Sequence, residues 1–75
     1  MNEQLSTALK EQVFEILKEE TDQFLAFHRH LPIGREAEDI IDNAFSRLQW
    51  AKQSVPYTQV SNLYSEMMAA SQQKV

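Results

Sequence analysis

The stretch LPIGREAEDIIDNAFSRLQWA, residues 31–51, decides the fold because it ends one helical pattern and opens a second. Pro32 disfavours helical geometry at Leu31 and removes a backbone donor, which predicts that a helix stops there. Gly34 can adopt backbone geometries that other residues avoid, or act as an N-cap for the next helix. A row of apolar residues spaced 4, 3, 4, 3 and 4 apart follows, here named the seam: Ala37, Ile41, Ala44, Leu48, Ala51 and Val55. This heptad rhythm is typical of a helix that packs lengthwise on another helix.

Helical spacing also dominates on both sides of this stretch. The residues before it predict a helix from about residue 4 to residue 30, with an apolar stripe made of Leu5, Leu9, Val13, Ile16, Leu17, Phe24, Phe27 and Leu31. The second helix should run from about 35 to 54, and a short third helix from about 58 to 70. We therefore predict one all-α domain over residues 1–75, an antiparallel helical hairpin plus a short third helix, assembling into a helical oligomer.

The chain is too short to bury a large core by itself. A domain of 75 residues buries only about 60% of the surface that its unfolded form exposes. Small scaffolds usually add disulfides, metals or oligomerisation. The sequence contains no cysteine, which excludes disulfides and thiolate metal sites. Oligomerisation is the remedy that remains, and the seam is the predicted assembly surface.

Composition and charge argue against membranes and duplex nucleic acid as partners. The sequence has no run of about 18 apolar residues, so it predicts no transmembrane helix. Its first residues lack the basic and apolar regions of a signal peptide, which makes a cytoplasmic protein the expectation. The net charge is −4, whereas binding to a phosphate backbone needs a clustered excess of Lys and Arg.

No group of residues predicts catalysis, a cofactor or a metal site. The single Gly rules out a Gly-rich phosphate loop, and no nucleophile, base and orienting residue stand in a recognisable arrangement. His28 and His30 are two residues apart on a predicted helix and would point in different directions. Helical His pairs that share a metal are spaced three or four apart. We interpret both as surface or helix-end residues.

Three residues of the first helix form a short stripe of cation, aromatic and cation. Lys10, Phe14 and Lys18 are four apart, so they share one face of the helix. One interpretation is an aromatic residue at the edge of the core with solvated lysines. The other is a binding surface on which a base or ribose packs against the ring while a lysine meets a phosphate.

Trp50, Arg47 and Arg35 are the candidates on the second helix. Trp50 either packs against the first helix or a neighbouring subunit, or it forms a stacking platform for a nucleobase with Arg47 nearby. Arg35 at the turn is either solvated and paired with Glu38 or Asp39, or it reaches a ligand at a junction between subunits. The residues alone leave these alternatives open.

The pattern Leu31-Pro32-x-Gly34-Arg35-Glu36, thirteen further residues and then Trp50-Ala51 resembles the second half of a phage helical-hairpin family. That family includes anti-CBASS and anti-Thoeris proteins, which act as sponges for cyclic-nucleotide signals. Its members open a long helix with a Leu-Pro-like turn and an Arg-Glu pair, and they close it with a Trp-Ala or similar pair. Ala44 matches the row of Leu or Ala that lies between.

The resemblance implies a phage anti-defence protein that binds and sequesters cyclic di- or trinucleotides without cleaving them. It also implies a compact helical homo-oligomer, a hexamer built from dimers, with ligand pockets between subunits. The ligand-binding candidates are then Lys10, Phe14, Lys18, Arg35, Arg47 and Trp50. The alternative is a small helical interaction or regulatory protein with no nucleotide ligand, in which Ile41, Leu48 and Trp50 contact a partner protein.

Overall fold

Three α-helices make up the protein in the computed structural model, which describes residues 6–72 and the side chains of residues 6–70. They are α1 (Thr7–Phe27), α2 (Arg35–Trp50) and α3 (Tyr57–Gln72). Each helix packs against the other two. The described residues contain no strand, so the predicted all-α class is confirmed. No helix within residues 6–72 has the length and apolar character needed to cross a membrane.

Helix α1 begins at a side-chain cap and ends earlier than predicted. The hydroxyl of Ser6 accepts a hydrogen bond of 3.1 Å from the Leu9 N–H, as N-cap serines do; residues 4 and 5 of the predicted helix lie outside the described part. The predicted end near His30 is wrong, because His28 is extended (φ −129°, ψ 149°). The His28 N–H donates to the Phe24 carbonyl oxygen at 2.9 Å, and its ring stacks on the Phe24 ring at 4.0 Å.

Helix α2 begins at Arg35, where the sequence predicts it. Gly34 has a φ of 57°, a left-handed conformation in which glycine is favoured because it has no Cβ. The carboxylate of Glu36 accepts a hydrogen bond of 3.3 Å from the Ile33 N–H. The break before α2 is therefore formed by local backbone preferences, as the sequence indicates.

The same helix ends at Trp50 rather than at residue 54. Lys52 has a φ of 60°, and its N–H donates to the Gln49 carbonyl at 3.0 Å. The Gln53 N–H donates to the Leu48 carbonyl at 2.9 Å. These two bonds form the Schellman motif that closes many helices. It places α2's end several residues before Pro56, the breaker on which the prediction relied.

Helix α3 contains 16 residues, the same number as α2; it starts one residue before and ends two residues after the predicted range of 58–70. It begins at Tyr57, directly after Pro56, whose carbonyl oxygen accepts from the Val60 N–H at 3.2 Å. The Tyr57 hydroxyl donates to an Asp42 carboxylate oxygen at 2.6 Å, and its ring meets Phe45 edge-on at 5.4 Å. These contacts join the start of α3 to α2.

The core lies between the three helices and already contains most of the seam. Its buried members are Val13, Leu17, Ile40, Ile41, Ala44, Leu48, Val55, Val60, Leu63 and Tyr64. Ala37 is half-buried and Ala51 is exposed. The prediction that the seam serves as an assembly surface is wrong, because α1 and α3 of the same chain cover its large side chains. Ile41 and Leu48 are likewise unavailable to a partner protein.

Candidate functional site

The six predicted ligand-binding residues do not meet in one place on a single chain. Arg35 and Trp50 are the first and last residues of α2, so their backbones are about 22 Å apart at 1.5 Å per residue. Arg35 is exposed at the start of the helix. Together these residues could contact one compact ligand only if different chains supplied them.

Trp50 is the most exposed large hydrophobic residue of the described chain, with 87% of its surface accessible. It adjoins Ser46, Gln49 and Lys52 on a shallow, open surface. The interpretation in which Trp50 packs against the first helix is wrong, because a side chain packed against α1 would not be so exposed. The exposure follows from helical geometry, because Trp50 lies about 200° around α2 from the buried Leu48.

Arg47 is held by two carboxylates of α1. Its guanidinium lies 2.8 Å from the Glu19 carboxylate and 3.2 Å from that of Glu20. The hydrogen bond to Glu19 and the charges of both acids raise the pKa of Arg47 above its ordinary value. The Glu20 side chain is only 14% exposed. These contacts form an ion pair that joins α1 to α2. The ion pair opposes the prediction that Arg47 binds a ligand together with Trp50.

Phe14 and Lys18 line an open groove between α1 and α3, with a volume of about 500 Å³. Phe14 is partly buried against the core, and Lys18 is exposed. Lys10 is also exposed, but it is not among the residues that line the groove. We name this feature the α1–α3 groove; it is lined by Phe14, Lys18, Thr21, Asp22, Leu25, Leu31, Glu66, Met67, Met68 and Ala70.

The two histidines lie at the end of α1 in an aromatic cluster with Phe24. The His28 and His30 rings meet edge-on at 5.7 Å, and Nδ1 of His30 is 3.9 Å from a Glu36 carboxylate oxygen. Nδ1 of His28 lies 3.0 Å from the Phe24 carbonyl oxygen. Within residues 6–72, no three His, Asp or Glu residues come together in a way that could hold a metal ion. The three rings therefore pack against one another at the end of α1.

Several exposed residues were missed by the sequence analysis. Phe27 is 86% exposed and Ile33 is 69% exposed, although Phe27 falls in the predicted apolar stripe. The stripe misleads here because α1 ends at Phe27, and the chain beyond it no longer follows a helical path. Lys52 beside Trp50 was also missed; it lies after the helix end that the sequence placed too late.

No protein-family model, no curated protein and no solved structure matches the chain.

Proposed function

We propose that this chain is a phage anti-defence protein that binds cyclic di- or trinucleotide immune signals and sequesters them without cleavage. The observation that carries the proposal is the exposed ring of Trp50 at the end of α2, next to Lys52. An exposed aromatic plate beside a cation suits a nucleotide, because the base stacks on the ring and the phosphate meets the ammonium group. Stacking of this kind contributes about 1–3 kcal/mol per base.

The proposal includes assembly into a homo-oligomer, for which the resemblance implies a hexamer. The surface around Trp50 is open, so one chain covers a ligand from one side only. Tight ligand sites are concave and bury most of the ligand, and a neighbouring chain would supply the other wall. The separation of about 22 Å between the ends of α2 also favours a pocket to which Arg35 comes from a second chain.

Contacts between α1 and α2 support the antiparallel hairpin that this proposal assumes. Arg47 meets Glu20, while Ile40 and Phe24 line one shared cleft. Residue numbers rise along one helix as they fall along the other, as expected for antiparallel neighbours. An antiparallel pair puts Arg35 and Trp50 at opposite ends of the hairpin, where different neighbours can reach them.

The first test is native mass spectrometry of the purified protein with and without cyclic di- and trinucleotides. The expected result is a discrete oligomer that gains whole ligand masses and releases the ligand unaltered. An oligomer or monomer with no ligand uptake contradicts the proposal for those messengers. Release of a cleaved nucleotide contradicts sequestration.

A matched pair of variants tests whether a base stacks on the ring of Trp50. Trp50→Ala should weaken ligand binding about tenfold or more, which corresponds to the loss of one stacked base. Phe27→Ala removes an aromatic side chain of nearly the same exposure, 86% against 87%, and should leave binding unchanged. Isothermal titration calorimetry measures both dissociation constants. Equal binding by wild type and Trp50→Ala would remove Trp50 from the site.

A further inference from the structure

The α1–α3 groove is an apolar surface that no other part of residues 6–70 fills. Leu25 and Leu31 expose 40% and 41% of their surface in it. Phe14, Met67 and Met68 are partly buried against the core and also line it. Methionine side chains are flexible and polarisable, so a surface that contains two of them can adapt to differently shaped apolar partners. The groove therefore has the lining of a protein-docking surface.

The charges around the groove are mainly negative. Asp22 and Glu66 line it with Lys18 as the one cation of the lining, and the exposed Lys10 lies one turn before Phe14 on the same face of α1. The adjoining surface, which shares Phe14 and Lys18, adds two further carboxylates, those of Glu11 and Glu15. The ion pairs among the described side chains involve Arg47 and His30, so these four carboxylates belong to none of them. A partner with positive charge around an apolar centre complements this surface.

We propose that the α1–α3 groove binds an amphipathic helix of a partner protein, with an apolar face flanked by Lys and Arg. The groove follows α1 from Phe14 to Leu25, a distance of about 17 Å or three helical turns. A helix of three or more turns offers anchors at positions i, i+3 or i+4 and i+7 along such a length. A second copy of this chain fits less well, because it would bring the same carboxylates together. The inference is independent of nucleotide binding by the Trp50 surface.

The test uses two labelled helical peptides of about 18 residues, or five turns. Both have one face of Leu; the remaining positions are Lys in one peptide and Glu in the other. Fluorescence anisotropy measures their binding to the full chain, and the Lys peptide should bind at least about tenfold more tightly. The double variant Asp22→Lys with Glu66→Lys should reduce or reverse that preference. Equal binding of the two peptides would overturn the charge argument.

Apolar variants distinguish the groove from general attraction between a cationic peptide and an acidic protein. Leu25→Glu should weaken the Lys peptide about tenfold or more, although the change adds a negative charge, because it removes an apolar contact from the groove. Phe27→Glu adds the same charge at an exposed position outside the groove and should not weaken binding. Far-UV circular dichroism confirms that both variants fold. If both variants bind as the wild type does, the groove is not the docking site.

The oligomeric state of the same variants tests whether a second copy of this chain, and not a partner helix, occupies the groove. Size-exclusion chromatography with light scattering is run on the wild type and on Leu25→Glu without peptide or nucleotide. If assembly is the same in both, the groove remains open to the partner helix. If Leu25→Glu dissolves an oligomer that Phe27→Glu leaves intact, a second copy occupies the groove and the proposal is overturned. This result does not depend on the Trp50 surface, so it leaves the proposed sequestration of nucleotides unaffected.

Discussion

Tyr64 offers a test of the packing in which removing a polar group should stabilise the fold. The residue is 6% exposed within the core, and its buried hydroxyl has no hydrogen-bond partner among the described residues. Burial raises the pKa of Tyr64 above its ordinary value of 10.0, so the phenol is neutral at pH 7. In the unfolded chain water would hydrogen-bond to this hydroxyl. Leaving such a group unpaired in the folded state costs about 1–3 kcal/mol.

The Tyr64→Phe variant removes the hydroxyl and keeps the ring. We expect the free energy of unfolding to rise by about 1 kcal/mol or more, and Tm to rise by about 4–8 °C for each kcal/mol in a domain of this size. Urea unfolding followed by far-UV circular dichroism measures the first quantity, and a thermal scan measures the second. A small domain that unfolds in one cooperative step suits both measurements.

Tyr57→Phe is the matched control, because it also removes a tyrosine hydroxyl, but one that makes a hydrogen bond. The Tyr57 hydroxyl donates to Asp42 at 2.6 Å, a charge-assisted bond between the start of α3 and α2. That variant should lose stability while Tyr64→Phe gains it. If Tyr64→Phe is destabilised instead, its hydroxyl has a partner in the folded protein, and the reasoning is refuted. If both variants are neutral, neither hydroxyl matters to stability.

Three further predictions concern the helix ends and the surface contacts. Lys52→Gly should raise the free energy of unfolding by about 0.5–1 kcal/mol, because the left-handed conformation is costly for a residue with a Cβ; a destabilised variant in urea titration would contradict this. Glu20→Gln should lower stability by about 1 kcal/mol and Glu19→Gln by less than about 0.5 kcal/mol, since Glu20 is the more buried partner of Arg47; equal losses in the same assay would argue against this difference. The hydrogen bond to a carboxylate raises the pKa of Tyr57 above 10.0, so its stabilising contribution is complete below pH 10 and is lost as the pH rises through the folded-state pKa. Phenolate absorbance should therefore titrate above pH 10 in Tyr64→Phe, where Tyr57 is the tyrosine that remains, and an ordinary midpoint would contradict the bond.

The start of α2 was predictable from the sequence and its end was not, because different kinds of residue set the two ends of the helix. Pro32 and Gly34 act through their own backbone restrictions or freedom, which are visible in any context. At the other end the left-handed residue is Lys52, and lysine does not signal a Schellman motif as glycine does. The prediction therefore moved the helix end to the next visible breaker, Pro56.

Periodicity identified a face to be buried, but it could not say what would cover that face. The spacing of Ile41, Ala44 and Leu48 correctly marks residues that avoid water. The prediction then assigned that face to another subunit, because a hairpin this small has little interior of its own. Helices α1 and α3 of the same chain cover it instead, with Val60 and Leu63 of α3 in the core. The same limitation applies to the candidate site, since no sequence pattern indicates that Arg47 pairs with acids of α1.

The covering of the seam by α3 changes where recognition must occur. Because most of the seam is buried in the chain's own core, a partner can contact only residues outside that core. The two surfaces proposed for recognition both lie outside that core: the Trp50 ring beside Lys52 at the end of α2, and the α1–α3 groove. They share no lining residue, so a change in one should leave the other intact. Provided that Leu25→Glu assembles as the wild type does, its nucleotide binding should match the wild type, and so should peptide binding by Trp50→Ala. A loss in either measurement would then mean that the two surfaces act as one site.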